Sequence, residues 1–113
     1  MRTKECRRLA AATLLSAIGI GLAMVAGADT LDGETLFNQR TCFTCHGKDG
    51  KTPILPEYPL IAGQNAPYVL QQLKDIKSGA RANGNTPAMA GVMHLVSDEE
   101  MVVLADYISK LER

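Results

Sequence analysis

Two cysteines and a histidine stand in the order Cys-x-x-Cys-His, and this motif constrains the fold of the 113-residue chain more than any other feature. It runs Cys42-Phe43-Thr44-Cys45-His46. Two thiols three residues apart on one helical turn can both form thioethers with the vinyl groups of a haem, and the adjacent imidazole then faces the iron from one side. The motif therefore predicts one haem c bound covalently through Cys42 and Cys45, with His46 as an axial iron ligand.

Three other roles for these cysteines compete with haem attachment. A zinc site needs four suitably placed ligands, commonly from a second pair; His94 is the only further candidate, and His46 is too close to Cys45 to share one metal easily. A thioredoxin-like dithiol needs a βαβ context, which the sequence lacks. A structural disulfide between Cys42 and Cys45 would close a very small loop and would not require His46. Covalent haem attachment is the favoured interpretation.

The first 28 residues have the pattern of a secretory signal peptide. Four basic residues lie in the first eight positions, an apolar run extends from Leu9 to Val25, and the small residues Ala26 and Ala28 precede the expected cleavage site. We expect cleavage after Ala28, a periplasmic location and no membrane insertion of the mature domain, residues 29–113. A retained N-terminal anchor is the alternative, because about 20 apolar residues can just span a bilayer. Cys6 precedes the apolar run and is expected to leave with the peptide.

The expected mature domain is small and slightly acidic. It contains eight basic and eleven acidic residues, and this balance argues against a nucleic-acid binder. It has no tryptophan, two phenylalanines and three tyrosines. The side chains of a domain of this length bury little apolar surface, so they alone give it only marginal stability. We therefore expect a cofactor to complete the core.

The apolar periodicity predicts three main helices. The second begins at Asn65-Ala66-Pro67, since proline is tolerated in a first turn, and ends before Gly79, a typical residue after a helix. The third begins with a capping box at 97–100 and has Lys110 and Arg113 in its last turn. The positions that define the three apolar faces are Gly33, Leu36, Phe37 and Arg40 in the first, Val69, Leu70, Leu73 and Ile76 in the second, and Met101, Leu104, Ala105, Ile108 and Leu111 in the third.

Two long segments, 47–64 and 80–96, carry prolines and glycines and are predicted to be irregular loops. No run alternates apolar and polar residues, so no sheet is expected. Loops of this length are unusual in so small a domain unless they wrap something. The sequence thus predicts an all-α fold in which long loops surround one haem.

Several motifs together resemble the class I c-type cytochromes, in particular small bacterial electron carriers and the single domains of diheme relatives. The resemblance covers the whole expected mature chain. It rests on Gly33-x-x-x-Phe37, Cys42-x-x-Cys45-His46-Gly47, Tyr58-Pro59-Leu60-Ile61-Ala62-Gly63-Gln64, the stretch 68–75, Gly79-Ala80-Arg81, Met89, and Leu95 to Glu100 with Leu104 and Tyr107.

The resemblance implies roles for individual residues. Cys42 and Cys45 match the thioether cysteines, and His46 matches the proximal iron ligand. Pro59 matches the proline whose carbonyl accepts a hydrogen bond from the proximal imidazole, and such a contact fixes the ring orientation. Gly33 and Phe37 match the face of the first helix that crosses the last helix at Leu104 and Tyr107, and the resemblance implies the class I cytochrome c fold.

The second axial ligand is less sharply defined by the sequence. The resemblance places it at Met89, eight residues before the capping Ser97. Met93 and His94 are the alternatives, although Met93 is near the helix start, where packing is its more usual role, and His94 would give bis-His ligation. An open sixth position is a further alternative.

His/Met ligation implies electron transfer without a bound substrate, because both axial positions are filled. We expect a carrier of single electrons between redox partner proteins, and not an enzyme. One alternative is a haem enzyme or gas-binding protein with an open sixth site; another is a cytochrome subunit of a larger dehydrogenase or oxidase. Five cations form a candidate docking cluster for an acidic partner, but an ordinary surface of mixed charge is the favoured interpretation: Lys48, Lys51, Lys74, Lys77 and Arg81.

Overall fold

The computed structural model describes residues 31–113, so the predicted signal peptide and its cleavage site lie outside the described residues. This part of the chain is helical and contains no β-strand, which confirms the predicted all-α class. None of its helices is long and apolar enough to cross a membrane. The helices are α1 (Gly33–Gln39), α2 (Cys42–His46), α3 (Ala66–Ser78), α4 (Thr86–Met93) and α5 (Asp98–Lys110).

The first and last helices pack directly on each other, as expected. Phe37 of α1 is 1% exposed, and its ring centroid lies 5.6 Å from that of Tyr107 on α5, with a tilt of 54° between the rings. This geometry is typical of a favourable aromatic pair. The helices come so close at Gly33 that a Cβ atom there would collide with Cβ of Tyr107 and lie 2.9 Å from its Cγ.

We expect the G33A variant to be less stable than the wild type by about 1–3 kcal/mol, the usual cost of adding a methyl group to a packed contact. Denaturant unfolding of the haem-loaded protein measures this change. G91A is the matched control, because nothing lies within 4 Å of a Cβ added at Gly91 on α4. It should gain about 0.5–1 kcal/mol, since alanine is preferred to glycine inside a helix. Equal stabilities of G33A and G91A would contradict the close approach.

Helix α3 begins and ends as its sequence indicates. The side chain of Asn65 accepts a hydrogen bond from the backbone N–H of Tyr68 at 3.2 Å, and Gly79 ends the helix in the left-handed region with φ +82°. Its buried residues Val69, Leu73 and Ile76 belong to one core with α5. The core residues of α5 are Met101, Leu104, Ala105 and Ile108, four of the five predicted stripe positions. Leu111 is half-buried and, like Arg113, lies after the helix, which ends at Lys110.

The prediction that the segment 80–96 is an irregular loop is wrong for residues 86–93, about half of the segment. Thr86 to Met93 form α4, which has Pro87 in its first turn and packs against α3. Pro87 is the second residue of α4, just as Pro67 is the second residue of α3, whose start the sequence predicts. The helix is short and contains Gly91, so its periodicity is too weak to detect. The axial-ligand candidate Met89 therefore lies on a helix.

The capping box of α5 is joined to α1 by an ion pair that the sequence did not suggest. Ser97 Oγ accepts from the N–H of Glu100 at 3.2 Å, and Glu100 Oε2 accepts from the N–H of Ser97 at 3.0 Å. The same carboxylate accepts two hydrogen bonds from the Arg40 guanidinium, at 3.1 and 2.5 Å. Glu100 is 8% exposed, and the Arg40 side chain lowers the pKa of its carboxyl below the usual value. One carboxylate thus fixes the start of α5 and the end of α1.

Because its pKa is lowered in the folded state, ionised Glu100 stabilises the fold fully above the usual Glu pKa of about 4.3. This contribution is lost as the pH falls from there through the lower pKa of the folded protein. We expect the free energy of unfolding of E100Q to depend less on pH over that acid range than that of the wild type. E99Q, which changes an exposed neighbour on the same helix, should keep the wild-type dependence. Identical pH profiles for E100Q and the wild type would contradict the assignment.

Candidate haem site

A cavity of about 390 Å³ lies between α2, the 57–64 segment, α3, α4 and α5. Both cysteines of the motif and His46 line it, together with Pro59 and Met89. The structure therefore brings all five predicted site residues to one cavity. Much of the remaining wall is apolar and comes from the core: Val69, Leu73, Ile76, Met93, Val96, Leu104 and Ile108. Such walls suit a flat, apolar macrocycle.

The attachment motif forms a single short helix. Cys42 and Cys45 occupy the first and fourth positions of α2, about one turn apart, and both are free thiols. The helix ends at Gly47, where φ is +81° and an added Cβ would collide with the carbonyl oxygen of Thr52. Only glycine fits there. The chain can therefore turn away immediately after His46, and the N–H of Ile54 donates to Cys45 O at 3.0 Å in the returning loop.

The imidazole of His46 is held by the 57–64 segment. Its Nδ1 lies 2.9 Å from the carbonyl oxygen of Pro59. A carbonyl oxygen can only accept, so Nδ1 carries the hydrogen and Nε2 is left with a lone pair for a metal. The ring is 6% exposed. The contact with Pro59 is the one that the resemblance implied, and it fixes the ring in a ligating tautomer and orientation.

The three candidates for the opposite ligand occupy different environments. Met89 is half-buried on α4 and lines the cavity. Met93 also lines it but is 1% exposed and belongs to the core packed against α3 and α5. His94 ends α4, is exposed and does not line the cavity. Of the two methionines that line the cavity, Met89 is thus the one that is only half-buried.

The geometry gives no support to the alternative roles of the cysteines. Burial raises the pKa of the Cys42 thiol to about 11, whereas a reactive dithiol requires a lowered thiol pKa. Within residues 31–113, no three His, Cys, Asp or Glu side chains are placed together so that they could hold a metal ion. The cavity fits haem c instead, because it offers two thiols, one oriented imidazole and apolar walls.

Comparison with known proteins identifies the family. The family model described as cytochrome c matches residues 31–112, which is most of the chain. The chain belongs to the cytochrome c family. It is a class I c-type cytochrome, and the family membership gives it one covalently bound haem c for its one attachment motif.

Two curated relatives illustrate the similarity. This cytochrome is 37% identical over 98 residues to cytochrome c4 from Pseudomonas aeruginosa, covering 86% of this chain and 45% of the relative. It is 36% identical over 85 residues to the thiosulfate dehydrogenase electron acceptor from Stutzerimonas stutzeri, covering 69% of this chain and 38% of that one. The chain thus spans less than half the length of either relative.

A solved structure confirms the class I fold. The crystal structure of reduced recombinant cytochrome c4 from Pseudomonas stutzeri superposes with a TM-score of 0.63 at 34% sequence identity. The match covers 71% of this chain and 46% of the other. The predicted arrangement, helices and long connections around one haem site, is therefore confirmed, with α4 added to the helices.

Two of the five cations of the candidate docking cluster bind groups of the cytochrome itself. Lys77 Nζ donates to Val96 O at 2.6 Å and pairs with Asp98 at 3.1 Å, which ties the end of α3 to the connection between α4 and α5. Arg81 lines the haem cavity and donates to Gln72. Neither contact is predictable from the sequence, because the partners come from separate parts of the chain.

Proposed function

We propose that this protein is a periplasmic monohaem cytochrome that carries single electrons between redox partner proteins. Cys42 and Cys45 hold the haem as thioethers, and His46 and Met89 are the axial iron ligands. The observation that carries the proposal is that one cavity is lined by both thiols, by an imidazole whose Nδ1 is engaged with Pro59, and by Met89.

The residues around the site suit electron transfer better than catalysis. The haem supplies an iron that changes between the ferrous and ferric states. His46 keeps one orientation in both states because Pro59 holds its ring. A thioether from Met89 is a soft, neutral ligand that favours ferrous iron and raises the reduction potential relative to His/His ligation. An iron held by both His46 and Met89 would have no position open to oxygen or peroxide.

The apolar walls of the cavity also favour electron transfer. Leu73, Met93 and Leu104 are each less than 10% exposed and line the cavity. Close-packed side chains of this kind resist displacement. A site whose neighbours move little between redox states passes electrons with little rearrangement. The name of the relative described as an electron acceptor agrees with this role.

A reversible redox titration of the purified protein tests the carrier function. We expect a single one-electron transition, and we expect the ferrous form to bind carbon monoxide slowly because Met89 must first leave. Rapid carbon monoxide binding, or turnover with peroxide, would favour an open-site haem enzyme or gas-binding protein. Stable co-purification with a dehydrogenase or oxidase would instead favour a subunit of a larger complex, with the same haem chemistry.

Export and maturation are tested by intact mass. The periplasmic product should have the mass of residues 29–113 plus one haem, since the basic, apolar and small-residue pattern predicts cleavage after Ala28. A full-length protein fixed in the membrane would contradict the cleavage. A mass lacking the haem under denaturing conditions would contradict the thioether bonds to Cys42 and Cys45.

A further inference from the structure

Helix α4, which carries Met89, begins without a side-chain cap. The side chain of Asn85 makes no capping hydrogen bond, and residues 82–85 before the helix are exposed. Gly84 in this segment has φ +56°, and nothing lies within 4 Å of a Cβ added there. Within residues 31–113, α3 is the one helix that lies close along α4. The position of α4 therefore depends on its own buried side chains and on what holds its end.

The end of α4 is held by a lysine from α3. Lys77 lies in the last turn of α3, and its Nζ donates to the carbonyl oxygen of Val96 at 2.6 Å and to Asp98 Oδ1 at 3.1 Å. Val96 comes shortly after α4, is 2% exposed and lines the cavity. Its N–H donates to the carbonyl oxygen of Met93, the last residue of α4, at 3.2 Å. Lys77 thus fixes the turn that follows α4 against α3.

The contact with Val96 is the stronger of the two. The Asp98 side chain is 78% exposed, and an ion pair open to water contributes little. The Lys77 side chain is 29% exposed, and a hydrogen bond from a charged donor in a partly buried place is strong. Within residues 31–113, the carbonyl oxygen of Val96 accepts no other hydrogen bond, so removing the lysine leaves it unpaired. Lys77 therefore acts mainly through Val96.

Met89 lies on the helix whose end Lys77 holds. It is half-buried and lines the cavity, about one turn before the buried Met93. Because a short helix moves as one body, displacement of its end also displaces Met89. We propose that Lys77 is a positioning residue for the axial ligand Met89: it holds the turn after α4 against α3 and so keeps the Met89 sulfur at the cavity. This inference rests on the proposed function, in which Met89 binds the iron.

The positioning role has a kinetic consequence. An external ligand reaches the sixth position only after Met89 has left, and α4 moves away with it. Local opening of this kind has a free energy of its own, below that of global unfolding. Losing a hydrogen bond from a charged donor makes the open form about tenfold more populated. Carbon monoxide binding to the ferrous protein and hydrogen exchange of the α4 amides should both become faster by this factor.

The test compares K77M with two matched controls in the haem-loaded protein. K110M makes the same substitution at a lysine whose partner, Asp106, lies on the same helix, so no two elements are released from each other. G33A weakens the contact between α1 and α5 and measures the effect of lost stability alone. Stopped-flow mixing with carbon monoxide and hydrogen exchange read by mass spectrometry should show increases of about tenfold in K77M. Both controls should keep the wild-type rates.

Two further variants separate the carbonyl contact from the ion pair. K77R keeps a charged donor and should restore most of the slow carbon monoxide binding. D98N removes the carboxylate but leaves the carbonyl oxygen of Val96 to the lysine, so both of its rates should stay close to those of the wild type. If K77M does not load haem, K77Q carries the test, because glutamine is neutral and shorter than lysine. Smaller increases in the same two rates are then expected.

Three results would overturn the inference. The first is a pair of wild-type rates in K77M, or in K77Q where that variant carries the test. The second is equal acceleration in G33A or D98N, because the effect would then come from general instability or from the ion pair. The third is a K77M protein that exchanges electrons more slowly with an acidic partner while both rates stay unchanged, which would assign Lys77 to docking.

The proposed function fails separately from this inference. If Met89 is not the axial ligand, M89A keeps the wild-type ferric spectrum and carbon monoxide rate, whatever K77M does. If only the inference fails, the wild type still binds carbon monoxide slowly and M89A still binds it fast, while K77M behaves as the wild type does. Measuring M89A and K77M in the same stopped-flow series distinguishes the two failures.

Discussion

Replacing Met89 with alanine will leave the haem attached and open the sixth coordination position of the iron. The thioethers to Cys42 and Cys45 do not involve α4, so the haem should remain bound in denaturant. Losing a soft, neutral ligand should lower the reduction potential. The ferrous variant should also bind carbon monoxide much faster than the wild type, which stopped-flow absorption measures.

Two neighbouring variants provide the controls for Met89. Met93 is 1% exposed in the core, so M93A should cost about 2–5 kcal/mol of stability while the ferric spectrum is largely kept. H94A should change neither the stability nor the ferric spectrum, because His94 is exposed at the end of α4. If M89A keeps the wild-type potential and ferric spectrum, the sixth ligand is not Met89. Loss of the wild-type ferric spectrum in M93A or in H94A would then identify the residue that is the sixth ligand.

The double variant C42S/C45S is expected to lose both the haem and the fold. Without thioethers the haem is no longer tied to α2, and the cavity of about 390 Å³ is left without its occupant. An emptied apolar cavity costs free energy, because its walls lose the partner on which they pack. The net stability of a small domain is only about 5–15 kcal/mol. We therefore expect the helical circular dichroism signal to fall sharply and the chain to become sensitive to protease.

Cys6 offers a matched serine substitution in the same chain. C6S changes a cysteine that signal cleavage is predicted to remove, so the mature protein should be identical to the wild type in mass, spectrum and stability. The haem stain on a denaturing gel should be present in C6S and absent in C42S/C45S. A stained band in the double variant would contradict attachment through these two residues.

Local signals in the sequence predicted the parts of the fold that depend on neighbouring residues. The capping box at Ser97 and Glu100 located the start of α5, and Asn65 with Gly79 bounded α3, because caps and turns act within a few residues. The attachment motif predicted the site for the same reason, since its chemistry is contained in five consecutive positions. Helix α4 was missed because it is short and its one start signal is Pro87.

Contacts between distant parts of the chain could not be predicted in this way. Arg40 and Glu100 are 60 positions apart, and each is an ordinary charged residue on a helix until the two helices cross. Arg81 and Gln72 meet because the chain turns back at Gly79. The sequence places these side chains on elements but does not define their partners. The partners depend on packing, and packing here depends on the shape of the haem cavity.

The proton NMR spectrum of the ferrous protein, with its methionine methyl groups labelled, tests His46/Met89 ligation most directly. A methyl group held over the haem by an iron–sulfur bond experiences the ring current and is shifted far from the ordinary methionine region. We expect one such signal in the wild type and in an M93L variant, and none in M89A. A shifted signal that disappears in M93L but persists in M89A, or no shifted methionine signal in the wild type, would contradict this ligation.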